Sequence, residues 1–358
     1  MTSQTDAAQR RYEELRGRNY RIDMTRGKPS PEQAELSNPM LTILHPDDCL
    51  GEGGDDYRNY SHATGIPEAK RLLGGYMDMP SDQIIAAGNS SLQLMHDVVA
   101  WAVLKGVPGG DGPWRDGAKF ICPVPGYDRH FAICEQLGIE MITVEMGDDG
   151  PDMSAVETLV AEDAGIKGIW CVPKYSNPTG AIYADDTVNR LAGMETAAPD
   201  FRVFWDDAYS VHHLTEARPV VKNIYETCVD AGCPNRPYMF ASTSKISIPG
   251  AGLSAFAASE ANVADIARKM SFQTIGPDKL NQLRHTRFFK DLAGIESQME
   301  KHAALIGPKF DAVDAALTKH LGEPVWRIGA SPRAVISSVS ICRITAQRKS
   351  AGWRVKRV

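Results

Sequence analysis

Residues 5–19 place apolar positions among charged ones at helical spacing and predict a short amphipathic helix. The segment Thr25-Arg26-Gly27-Lys28-Pro29-Ser30-Pro31 is rich in Gly and Pro and breaks that pattern. From about residue 67 to 270, helical and strand-like patterns alternate. Over 91–105, Leu92, Met95, Val98, Val99 and Ala102 recur at spacings that put them on one helix face. The short apolar runs at 119–122, 168–172 and 201–205 predict buried strands. Strands separated by helices predict βαβ units and an α/β fold with a mostly parallel sheet. Residues 289–321 predict a long helix with few breakers, and the chain shows no internal repeat or low-complexity linker.

Composition narrows the function classes. The 358 residues suffice for a large domain and a smaller one, and 43% hydrophobic with 23% charged is ordinary for a soluble globular protein. A net charge of −6 argues against a general nucleic-acid partner. No apolar run reaches the ~18 residues a membrane span needs. The polar N-terminus lacks the apolar stretch of a secretion signal, so the cytoplasm is the expected compartment and no membrane partner is expected. The seven cysteines, at 49, 122, 134, 171, 228, 233 and 342, show no metal-ligand spacing and are expected to be reduced, mostly buried thiols.

Five short segments could carry chemistry. In Ser242-Thr243-Ser244-Lys245, a lysine follows small hydroxyl residues. Such an amine can form a Schiff base if burial or nearby cations lower its pKa, although a lysine in a Ser-rich loop is more often only solvated. Phe204-Trp205-Asp206-Asp207-Ala208-Tyr209 is an apolar strand ending in a carboxylate, at the sheet edge where α/β folds bind ligands. Asp206 there could keep a pyridine nitrogen protonated. As a single segment it reads more readily as a helix N-cap. Ser176-Asn177-Pro178-Thr179-Gly180 is a turn by composition, and Asn177 could bond a phenolate-like oxygen. Ala87-Gly88-Asn89-Ser90-Ser91 opens a helix and offers backbone N–H groups to a phosphate, as capping serines do without any ligand. Tyr127, after Pro125-Gly126, could stack on an aromatic ring or simply pack. Four of the five clearly follow strands, so all should gather at one sheet edge.

The order and wording of these segments resemble the class I aminotransferases of the pyridoxal-phosphate (PLP) fold type I. Arg26-Gly27-Lys28-Pro29, Pro125-Gly126-Tyr127-Asp128-Arg129-His130-Phe131, Asp206-Asp207-Ala208-Tyr209 and 242–252 resemble, more narrowly, a bacterial subgroup. That subgroup includes aspartate aminotransferases and MocR-type aminotransferase domains, and the resemblance covers roughly residues 10–322. It implies pyridoxal 5'-phosphate as cofactor, bonded covalently by the catalytic residue Lys245, which also shuttles the proton of the substrate Cα. It implies that Asp206 pairs with the ring nitrogen, Asn177 and Tyr209 bond the 3' oxygen, and Tyr127 stacks on the ring. Ser90, Ser91, Ser242 and Ser244 would hold the phosphate, with Tyr60 reaching it from the other subunit of a homodimer. Gly27 and Asn177 would lie at the substrate carboxylate. The implied reaction moves an amino group between an amino acid, aspartate being the best guess, and 2-oxoglutarate by a ping-pong mechanism. A lyase or racemase on the same fold, or a catalytically impaired cofactor-binding remnant, are the alternatives.

The resemblance also sets expected domain bounds: an arm and small-domain segment over 1–45, a large PLP-binding domain over 46–280, and the start of a C-terminal small domain over 281–323. Two departures stand out. The family places an arginine a few residues after the lysine to bind phosphate, and 246–253 contains none. Arg284 and Arg287 are candidates for binding anionic substrate groups, although surface arginines on a helix are the simpler reading of both. Residues 324–358 hold eight Lys/Arg and no Asp or Glu. Nothing in this tail matches the arginine that grips the substrate α-carboxylate in the family. Moving the reading frame by one nucleotide across 334–339 permits Gly-Gly-Tyr-Phe-Ile-Ser, which resembles the subgroup's small-domain strand. The tail is therefore expected to be a frameshifted reading of that domain, and the nucleotide sequence tests this.

Overall fold

The computed structural model describes residues 2–21, 27–115 and 117–321. The basic tail, with its frameshift expectation, and Arg26 lie outside the described residues. The strands in chain order are β1 (Ile84–Ala86), β2 (Lys119–Val124), β3 (Glu140–Glu145), β4 (Ile166–Cys171), β5 (Arg202–Asp206), β6 (Pro237–Ser242) and β7 (Ser254–Ala257). They form one sheet in the spatial order β1-β7-β6-β5-β4-β2-β3. β7 is antiparallel to β1 and β6, and the other pairings are parallel. The reason for the reversal is chain length. Residues 243–253, which join β6 to β7, fall short of the dozen or more that a parallel crossover needs, so β7 returns alongside β6 in the opposite sense.

Period-two alternation divides the core between the sheet's two faces. On β5 and β6, Phe204, Tyr238 and Phe240 join Phe120, Trp170 and Phe256 under helices Ser91–Lys105, Asp128–Gln136 and Glu260–Met270. Val203, Trp205, Met239 and Ala241 face the other way. That side is covered by Leu72 and Leu73 of helix Pro67–Met77, Leu283 of helix Lys279–Phe289, and Ile295 and Met299 of helix Leu292–Leu321. Aromatic rings pack at tilted angles along the first face, with Phe120–Phe204 and Phe240–Phe256 centroids 5.2 and 5.4 Å apart.

The N-terminal helix spans Thr2–Gly17, and the three expected strands sit within two residues of their predicted ends. The long C-terminal helix starts at Leu292 rather than at 289, because Lys290 takes a left-handed backbone with φ 68°. No helix among the described residues is long and apolar enough to cross a membrane.

Candidate active site

The carboxyl ends of β2, β4, β5 and β6 carry Tyr127, Asn177, Asp206 and Lys245 to one edge of the sheet, or onto the loops just beyond it. The Lys245 segment follows β6 directly, so it belongs to this edge like the others. Asp206 is the last residue of β5 and no helix follows it until Ile224–Asp230, which removes the helix-cap reading. By strand parity Asp206 shares the face of Phe204, toward helix Asp128–Gln136. There the buried His130 ring meets it, with Nε2 3.1 Å from Asp206 Oδ2. The His130 ring in turn lies flat on Trp170, 4.4 Å between centroids and 12° between planes. One carboxylate oxygen is thus held. The other, Oδ1, is buried and has no hydrogen-bond partner, an arrangement that costs free energy until a donor arrives.

Lys245 Nζ stands 4.8 Å from the centre of the Tyr209 ring. Burial pulls the Lys245 pKa down, but the charges of Tyr209, Asp206 and Tyr127 and a bond to Tyr209 outweigh it and leave the amine above its ordinary value. The pocket gathers acidic groups around Lys245 rather than the cations that would lower its pKa. Burial pushes the Tyr127 phenol up, and the neighbouring Lys245 charge pulls it back. Behind Tyr209 lies His212, fully buried and meeting the Tyr209 ring edge-on at 5.4 Å. Burial and the Lys245 charge lower its pKa to about 3, which keeps it neutral. Burial pushes the adjoining Asp207 carboxyl up to about 6 against the pull of Lys174.

The Lys245 loop is braced from beneath. The His285 Nδ1–H faces the Asn281 carbonyl at 2.7 Å, which leaves Nε2 to accept from the Ser247 hydroxyl at 3.0 Å. Ser247 Oγ is 3.0 Å from Thr243 Oγ1, and Thr243 Oγ1 accepts the Leu253 N–H at 2.9 Å. Next to this loop the helix Ser91–Lys105 begins. Ser90 caps it, its hydroxyl accepting the Leu92 N–H at 3.3 Å, and Ser91 is buried in the first turn. The Ser244 hydroxyl donates to the Asn89 carbonyl at 2.9 Å, tying the serine turn to the lysine loop. Ser242, also buried, ends β6 opposite Ser254.

Comparison with known proteins fits this arrangement. The model of the aspartate amino-transferase family matches residues 1–346. The chain belongs to that family. It is 45% identical to an aspartate aminotransferase of Corynebacterium glutamicum over 316 residues, covering 88% of this chain and 73% of the relative. The crystal structure of an aspartate transaminase from the same organism superposes with a TM-score of 0.86 at 43% identity, covering 90% of this chain and 77% of that one. An α-aminoadipate aminotransferase from Thermus thermophilus, solved with N-(5'-phosphopyridoxyl)-L-leucine, shares the fold at 20% identity, with a TM-score of 0.66 over 83% of this chain and 71% of that one. The protein is therefore an aminotransferase of PLP fold type I.

Within this aminotransferase, Tyr127, Asp206, Tyr209 and Lys245 lie together, and Asn177 is part-buried in the loop after β4. Tyr60 is not among them: its side chain is 78% exposed. Gly27 is exposed beside the undescribed residues 22–26. Arg287 donates to the Asp48 carbonyl at 2.9 Å and stands 3.8 Å from its carboxylate, so it is a surface arginine. The roles of His130, Trp170 and the Thr243–Ser247–His285 chain were not read from the sequence. Tyr127 precedes helix Asp128–Gln136 in extended conformation and meets the His130 ring edge-on at 5.0 Å, a contact that helical spacing does not encode.

Proposed function

We propose that this aminotransferase moves the amino group of aspartate to 2-oxoglutarate by a ping-pong mechanism, using pyridoxal 5'-phosphate. The observation that carries the reading is the unpartnered, buried Asp206 Oδ1 in the same pocket as the Lys245 amine. A protonated ring nitrogen is the donor that this oxygen lacks. When bound, the cofactor supplies an aldehyde that bonds amines and a ring that accepts the electron pair released at the substrate Cα.

The rest is work for this chain's own groups. Lys245 would be the amine that holds the cofactor through its aldehyde and, when free, the base that takes the proton from the substrate Cα. Asp206, oriented by His130, keeps the ring nitrogen charged. Tyr127 covers the ring and helps exclude water. Asn177 and Tyr209 hold the 3' oxygen. Ser90, Ser91, Ser242 and Ser244 hold the phosphate, aided by backbone N–H groups at the start of helix Ser91–Lys105. Asn177 and Gly27 meet the substrate carboxylate.

A homodimer is part of this reading, with Tyr60 reaching the partner's phosphate. Tyr60, Phe272 and Ile275 are 78, 85 and 68% exposed, and Gly276 packs against the Ser61 carbonyl. Such apolar exposure supports a covered surface. Residues 46–280 form the cofactor-binding domain in this account, 1–45 and 281–323 belong to a smaller one, and the protein works in the cytoplasm.

Adding aspartate to the PLP-loaded protein without an acceptor tests the reaction. The account expects a blue shift of the cofactor band and one oxaloacetate per site, reversed by 2-oxoglutarate. Continuous release of ammonia and keto acid would instead point to a lyase. The Tyr60→Ala variant is expected to weaken cofactor binding without changing its attachment to Lys245.

A further inference from the structure

The expected phosphate site is short of positive charge. A phosphate dianion in a partly dry pocket calls for a cation as well as hydroxyls. No arginine or lysine occurs between Lys245 and Arg268. The serine hydroxyls assigned to the phosphate are neutral, and Ser244 must give up its bond to the Asn89 carbonyl to donate there. Nor does Gly252 leave room for a side chain at its own position. A Cβ there would stand 2.8 Å from Asn89 O and 3.0 Å from Ser244 Oγ, so the loop is pressed against the serine turn. The charge has to come from another element.

Among the described residues, one arginine hydrogen-bonds to this loop. Arg284, on helix Lys279–Phe289, is part-buried, with Nη2 3.4 Å from the Ala251 carbonyl and Nε 2.7 Å from Asn281 Oδ1. Asn281 Nδ2 in turn donates to the Gly252 carbonyl at 2.8 Å, so both side chains grip the segment that borders Ser244 and Asn89. Among the described residues Arg284 has no carboxylate partner, unlike Arg287 one turn on, which is held by Asp48. A guanidinium bonded only to neutral groups keeps its full charge and several N–H donors for an anion.

We propose that Arg284 is the cation that binds the cofactor phosphate in this chain, taking the place of the arginine missing after Lys245. The inference rests on the reading of the pocket as a pyridoxal 5'-phosphate site. It would make phosphate recognition depend on helix Lys279–Phe289, so that the cofactor joins this helix to the serine turn and the lysine loop.

Titrating the full chain with pyridoxal 5'-phosphate and with pyridoxal, the same aldehyde without phosphate, tests it. Wild type should prefer the phosphorylated aldehyde. Arg284→Gln should lose about ten- to hundredfold in affinity for it, the range for losing a charge-assisted bond. Its pyridoxal affinity should stay within about twofold, and that binding also reports a folded pocket. Arg284→Lys should recover part of the loss. Equal weakening toward both aldehydes, or no change toward either, would overturn the role of Arg284. If wild type forms no Lys245-dependent adduct with either compound, the cofactor reading itself fails.

Discussion

At the scale of residues, the account turns on Asp206 and the groups around Lys245. His130 holds one oxygen of Asp206 and leaves the other for a donor. His130→Phe keeps a flat ring against Trp170 but removes the bond, and should lower amino transfer about tenfold, the worth of one hydrogen bond to a charged group. Asp206→Asn should cost at least about a hundredfold, as removal of a preorganised charge does. Steady-state rates of the purified variants check both, and equal activity of Asp206→Asn and wild type would contradict the role assigned to this carboxylate. The acidic surroundings of Lys245 make a further prediction. Because Tyr209, Asp206 and Tyr127 raise the amine above its usual pKa, its neutral fraction grows with pH throughout the neutral range. Stopped-flow attachment of pyridoxal 5'-phosphate should therefore accelerate about tenfold per pH unit between about pH 7 and 9. A flat profile would mean that the amine is already neutral. Asp206 and Lys245 could be read from their segments. The direction of the lysine's pKa could not, because it is set by side chains brought in from two other segments, those of Asp206 and Tyr209 and of Tyr127.

Among elements, the link over 243–253 matters most. It turns the chain back along β6, carries Lys245 and rests on the Thr243–Ser247–His285 chain. Ser247→Ala would strand both a buried imidazole nitrogen and a threonine hydroxyl, and should cost about 1–3 kcal/mol. Chemical denaturation measures that, and a loss below about 0.5 kcal/mol would show the chain to be incidental. The strands at 119, 168 and 201 were legible because a strand buried on both faces reads as an unbroken apolar run. β1 and β7, three and four residues long, are too short to show any period. The reversed sense of β7 is a property of a connection, and apolar patterning does not encode it.

For the whole molecule, two buried histidines and one part-buried one set the response to acid. Burial lowers His212 to about 3 and His213 and His285 to about 4, so all three are neutral when folded and take up protons near pH 6.5 when unfolded. The unfolded chain then binds more protons, and stability falls as pH drops through 6.5 toward 4. Asp207, raised to about 6 when folded, works in the opposite sense and offsets part of this. Between pH 7 and 5.5 the net loss should be on the order of 2 kcal/mol. Urea unfolding at the two pH values measures it, and greater stability at pH 5.5 would contradict the burial of these rings. The α/β class and the edge that holds the site were legible from the order of motifs, since parallel strands deliver their carboxyl ends to one side. The pairing of Asp206 with His130 and the grip of helix Lys279–Phe289 on the lysine loop were not, because they join residues far apart in the chain. The most direct measurement is borohydride reduction of the protein loaded with pyridoxal 5'-phosphate, followed by peptide mass spectrometry. The phosphopyridoxyl label should fall on Lys245 and vanish in Lys245→Ala. A label on another lysine, or one that persists in that variant, would contradict the account.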